Sequence, residues 1–125
     1  MTDSDFEFGP EIHAAFEQWL CEHWPKAESA FALLDLHSPT HHAESAKTLA
    51  TIVHDLSGTA AVVGHQAIGT LAHALARQGR HTDWLADAPL NRLWHALASV
   101  VDSRAAVNRD DLHAALLASV ADFLE

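Results

Sequence analysis

The chain has 125 residues, a single cysteine (Cys21) and no tyrosine, and 49% of it is apolar. That length can bury a real core without disulfides, and one cysteine closes no internal bridge, so a reducing, cytoplasmic setting is expected. A formal charge of −10, from 17 acidic against 7 basic residues, repels a phosphate backbone and argues against nucleic acid as a direct partner.

Residues 1–9 are acidic and lack the basic start and apolar run of a secretory leader. They are expected to be a flexible N-terminus before a single helical domain over residues 10–125. No apolar stretch approaches the roughly 18–20 residues that cross a bilayer, so no membrane role is expected. Pro10 can open a first helix with the inward stripe Ile12, Phe16, Trp19 and Leu20, and Trp24-Pro25 is expected to end it. A short second helix carries Phe31, Leu33, Leu34 and Leu36 and stops at His37-Ser38-Pro39. A third runs from about Thr40 to Val63, and Gly64 suits the left-handed residue that closes a helix. A fourth follows at once, with Ile68, Leu71, Ala72 and Leu75 inward, and ends near Gly79.

Asp87 as N-cap and Pro89 in the first turn mark the fifth helix, whose stripe is Leu90, Leu93, Trp94, Leu97, Val100 and Val101. Asn108 with Asp111 resembles a capping box for the last helix, with Leu112, Leu116, Val120, Phe123 and Leu124 as its buried face. Nothing reads as a strand. The expected fold is all-α: an antiparallel four-helix bundle with an additional N-terminal helical segment packed on or beside it.

The third helix poses the chemical question. At roughly 100° per residue, Leu49, Ile52, Val53, Leu56, Ala60 and Val63 fall within about 40° of one direction, which is the core. His54 falls about 140° away, Gly58 about 180°, Ala61 about 120°, Lys47 about 160° and Ser57 about 80°. His54 therefore stands on the outer face, with little bulk around it from Ala50, Gly58 and Ala61. A mid-helix glycine costs roughly 0.5–1 kcal/mol relative to alanine. It marks either a close helix contact or clearance for a molecule approaching His54, and its outward direction favours clearance. Imidazole is nucleophilic near neutral pH and forms covalent intermediates. No phosphate loop, nucleophile elbow or nucleotide motif accompanies it, so a partner is expected to bring the rest of the active site.

The run His54-Asp55-Leu56-Ser57-Gly58-Thr59-Ala60, with Gly64 closing the helix and Leu71 and Leu75 beyond, resembles histidine-containing phosphotransfer (HPt) domains. The resemblance is good over about residues 40–78. It implies a four-helix bundle whose His54 accepts a phosphoryl group from a receiver-domain aspartate and passes it to another receiver aspartate. Gly58 would be the clearance residue and Ser57 a neighbour of the phosphoryl oxygens. The implied partners are response-regulator receiver domains and a hybrid histidine kinase. The receiver would supply the metal, so no cofactor belongs to this chain, which would act as a monomeric carrier and not as an autonomous enzyme.

Two departures from the family pattern stand out. Ser57 occupies a position where many members place lysine, and the candidate replacements for that cation are Lys47, Arg77 and Arg80. Asp55 directly after the histidine is a feature of dimeric histidine-kinase phosphoacceptor helices, but the threonine or asparagine and the proline of that pattern are here Gly58 and Thr59. The alternatives are a helical module that binds a receiver or kinase without accepting phosphate and, behind it, a dimeric phosphotransferase. Of the other histidines, His37, His41 and His42 cluster, but Pro39 interrupts His37 and His41 and no cysteine or paired carboxylate completes a ligand set, so no metal site is expected. Trp19, Trp24, Trp84 and Trp94 read as packing residues. Ala50, Ala61 and Val62 form the candidate docking patch beside His54.

Overall fold

A computed structural model describes residues 10–35, 39–79, 88–104 and 108–124. Five α-helices follow in order: α1 (Pro10–Asp35), α2 (Pro39–Val62), α3 (Gln66–Gly79), α4 (Ala88–Asp102) and α5 (Arg109–Ser119), with a 3₁₀ turn at Ala121–Phe123. No strand occurs among the described residues. Neighbours in sequence are neighbours in space, since α1 packs on α2, α2 on α3 and α3 on α4, while α5 touches both α4 and α3.

The first helix corrects the expected break at Pro25. One 26-residue helix replaces two short ones and carries Pro25 inside it. Phe16, Leu20, Trp24, Ala27 and Ala30 are all buried, and they form one continuous stripe that runs past the proline. Pro25 itself is exposed. So is Cys21, whose carbonyl loses the N–H that proline lacks and can turn to water instead. A proline inside a helix costs roughly 3 kcal/mol. Beyond it Ala27 and Ala30 are buried, and Phe31 packs half-buried against the core. Trp24 stacks on Trp94 at 5.1 Å, and Phe31 on the same ring at 4.7 Å, so α4 supplies what holds the second half of α1 in helix. Ile12 and Leu33, expected inward, are 36% and 38% exposed.

The second helix follows its pattern closely. Leu49, Ile52, Val53, Leu56, Ala60 and Val63 are all buried. Gly64 takes φ +82°, which places it in the left-handed region. The His65 N–H donates to the Ala60 carbonyl at 2.9 Å and the Gly64 N–H to the Ala61 carbonyl at 3.2 Å. This paired closure satisfies two end carbonyls and turns the chain directly into α3. Ile68, Leu71, Ala72 and Leu75 on α3, and Leu90, Leu93, Trp94, Leu97, Val100 and Val101 on α4, are buried as expected. The Asp87 cap lies outside the described residues.

At the last helix two expectations fail. Asn108 is the N-cap residue of α5, but its backbone sits at φ −100°, ψ 27° and its side chain makes no capping bond. A capping side chain needs the extended backbone that would swing it over the first turn. Only its carbonyl is engaged, accepting from the Leu112 N–H at 3.2 Å. Leu112 is 38% exposed. It lines a shallow apolar groove with Leu116 between α4 and α5, while Val120, Leu116 and Leu117 make the inward contact. The side chain of Phe123 lies outside those described.

A long-range ion pair ties the end of α4 back to α1. Arg104 donates to Glu17 from Nε (3.0 and 2.9 Å to Oε1 and Oε2) and from Nη2 (2.8 Å to Oε1), and from Nη1 to the Val101 carbonyl at 2.6 Å. Hydrogen bonds from Arg104 hold the Glu17 carboxyl below the usual carboxylate range, against the opposing effect of partial burial. A depressed folded-state pKa means stability that is present above the ordinary glutamate value and lost as pH falls through the lower one. Glu17→Gln should therefore flatten the acid limb of a stability-against-pH curve below about pH 4.3. The Glu17 side chain is 45% exposed, so solvent screening limits the loss at neutral pH to less than about 1 kcal/mol. Urea melts from pH 2 to 7 check this, and an unchanged acid limb would show that the pair carries no linkage.

Candidate functional site

His54 lies at mid-helix on α2 and is exposed, while Val53 and Leu56 on either side are buried. The buried stripe thus fixes the helix and leaves the imidazole presented to solvent from a rigid base. Lys47, Gly58 and Ala61 share the exposed side, and Ser57 and Ala50 are half-buried at its margins. A Cβ placed on Gly58 would meet nothing within 4 Å. The packing reading of that glycine therefore has no support among the described residues, since none of a neighbouring helix comes within 4 Å of that position.

The close approach between helices occurs at Gly69 instead. A Cβ there would lie 3.7 Å from the Ser57 carbonyl oxygen and the Ala61 nitrogen, and 3.9 Å from the Ala60 Cβ. At Gly69 α3 rests against the back of the His54 segment, close enough that a Cβ would be in van der Waals contact, a packing point that sequence reading missed. Its only signal is a glycine inside a helix one turn after the chain reversal.

Two hydroxyls bracket Gly58. Ser57 Oγ donates to the His54 carbonyl at 2.7 Å, and Thr59 Oγ1 donates to the Asp55 carbonyl at 2.8 Å. The Ser57 hydroxyl thus donates to the backbone of its own helix. Among the described residues lining the groove at His54 there is no lysine or arginine. Lys47 lies two turns away, and Arg77 is half-buried on α3. Arg80 lies outside the described residues.

His54 also forms the rim of a groove of about 620 Å³ between α1 and α2. Ile12, Ala15, Phe16 and Trp19 line it from α1; Asp55, Gly58, Thr59, Val62 and Val63 join His54 from α2. Val62 is 57% exposed. Of the expected docking patch, only Val62 belongs to this groove; Ala50 and Ala61 lie outside it. Ile12 and Trp19, read from sequence as core, are the groove's apolar wall. Trp19 is braced by His23, with ring centroids 4.7 Å apart.

A second cavity, about 290 Å³, opens between the Gly64 turn and α5 and includes His65, Asp110 and His113. Among the described residues no group of three or more metal-binding side chains is assembled. The side chains of His37, His41 and His42 lie outside those described. No described helix is long and apolar enough to cross a membrane.

With this geometry established, comparison with known proteins defines the class. The family model for the Hpt domain matches residues 11–117. The chain belongs to the Hpt domain family, which supports a general role in histidine phosphotransfer within a phosphorelay. Neither the curated proteins nor the solved structures gave a match.

Proposed function

We propose that His54 carries a phosphoryl group between receiver-domain aspartates. The single observation behind this reading is an exposed imidazole on a rigid buried helix, with open space one turn away at Gly58. A neutral imidazole attacks the phosphorus of an aspartyl phosphate, so the P–O bond to the donor carboxylate breaks as a P–N bond forms. The reverse step delivers the group to a second aspartate. Phosphoryl transfer of this kind depends on positioning and charge neutralisation, which the docked receiver and its metal would supply. The α1–α2 groove, apolar and continuous with His54, is where such a partner would seat. The family as a whole works with receivers and kinases, which fits a partner of that class.

Ser57 favours a second reading, a module that binds receivers without accepting phosphate, because it stands where many family members place lysine and its hydroxyl donates to the backbone. One experiment separates the two. Receiver domains charged with acetyl phosphate and freed of donor are mixed with this chain. Phosphate that is acid-labile, base-stable and mapped to His54 by mass spectrometry is the expected result. Binding without phosphate on this chain supports the second reading, and phosphate on another of the eleven histidines would displace His54.

A further inference from the structure

Asp55 is the only acidic residue among the described residues lining the His54 groove, and no lysine or arginine lines it. It is exposed, and it follows His54 directly. The Ser57 hydroxyl, three residues on, donates to the His54 carbonyl at 2.7 Å and carries no charge to offset phosphoryl oxygens. A phosphoryl group on His54 would thus share the groove with a carboxylate, with no lysine or arginine among the described lining residues, on a chain of net charge −10. From this we infer that Asp55 raises the free energy of the phosphorylated carrier, biasing His54 toward passing its phosphoryl group to a receiver over retaining it. The inference rests on the phosphotransfer reading above.

The chemistry balances without a further reactant. In the phosphorylated carrier one ring nitrogen is bonded to phosphorus and the other keeps its proton, so the ring is cationic. Transfer breaks the P–N bond and returns its electron pair to the ring, which becomes neutral imidazole. A P–O bond forms to the receiver carboxylate, and no proton or redox equivalent is released. The ring cation and the phosphoryl oxygens together are net negative, so a neighbouring carboxylate raises the energy of this state and not of free His54. At about 7 Å in water-like surroundings, one pair of unit charges shifts an equilibrium by about threefold. Salt reduces this.

The test is an equilibrium measurement. A receiver domain charged with acetyl phosphate, cleared of donor, is mixed with wild type, Asp55→Asn or Ser57→Lys. The phosphorylated share of each protein is read on mobility-shift gels before the aspartyl phosphate hydrolyses. Concentrations are kept below those at which the proteins stay bound. Under that condition docking alters the rate of approach and leaves the final ratio unchanged, which separates this role from a contact role for Asp55. Asp55→Asn should shift the transfer equilibrium constant, calculated from those shares, about threefold toward the phosphorylated carrier, and Ser57→Lys should move it the same way by a similar factor. An unchanged ratio with altered rates would overturn the inference and make Asp55 a docking residue. Failure of wild type to take up any phosphate would overturn the phosphotransfer reading itself, and this inference with it.

Discussion

Gly58→Leu should slow phosphoryl transfer to His54 by about a hundredfold or more, while the melting temperature moves by no more than about a few degrees. Nothing lies within 4 Å of the position a Cβ would take, so the new side chain has room to extend outward without disturbing the bundle. Leucine is also the better helix former by roughly 0.8–1.0 kcal/mol, which favours a small rise in stability. The damage falls on the approach of the partner, because residues one turn apart share a helix face and a leucine there would overhang the imidazole. Alanine should be stabilising and slow transfer less. Gly69→Leu provides the contrast. Its side chain must enter the contact with Ser57, Ala60 and Ala61, and overpacking of that kind costs roughly 1–3 kcal/mol. Thermal melts and transfer rates on the same three proteins decide the matter. A Gly58→Leu variant that unfolds, or one that transfers normally, would remove the clearance argument.

Trp94→Ala should destabilise the protein by about 3–5 kcal/mol, the usual range for truncating a buried tryptophan. Trp94 is 4% exposed and lies between Trp24 and Phe31, with ring planes within 18° and 12° of its own. Removing it leaves a cavity and takes away the contact that carries α1 past Pro25. Amide exchange should therefore speed up first in the second half of α1, beyond Pro25, before the rest of the bundle opens. The first half, held by Phe16 and Leu20 against the core, should keep its protection longer. Uniform acceleration along α1 would show that the aromatic stack is not what sustains the helix after the proline. Because the His54 groove uses Phe16 and Trp19 from that first half, transfer measured well below the melting temperature should survive the substitution.

Sequence by itself determined the parts that depend on periodicity and local backbone chemistry. The stripe from Leu49 to Val63 fixes which side of α2 is buried, and the same 100° rotation puts His54, Gly58 and Lys47 on the other side. Gly64 marks the reversal, because its left-handed φ is a property of one residue. The inward faces of α3 and α4 follow from the same arithmetic.

What remained was decided by contacts between segments far apart in the chain, where local propensity has no reach. Pro25 should end a helix by its own chemistry, and it fails to do so because Trp94, far along the sequence, offsets the missing hydrogen bond. Arg104 finds Glu17 only once α4 has been folded back onto α1. The same juxtaposition of α1 and α2 converts Ile12 and Trp19 from apparent core residues into the wall of a groove. Apolar periodicity says which side of a helix avoids water, but it does not say whether another helix or a partner will cover it. Gly58 and Gly69 make the distinction plain. Both are helical glycines in one short stretch of sequence, and only the position of α3 against α2 makes one a packing contact and leaves the other open beside His54.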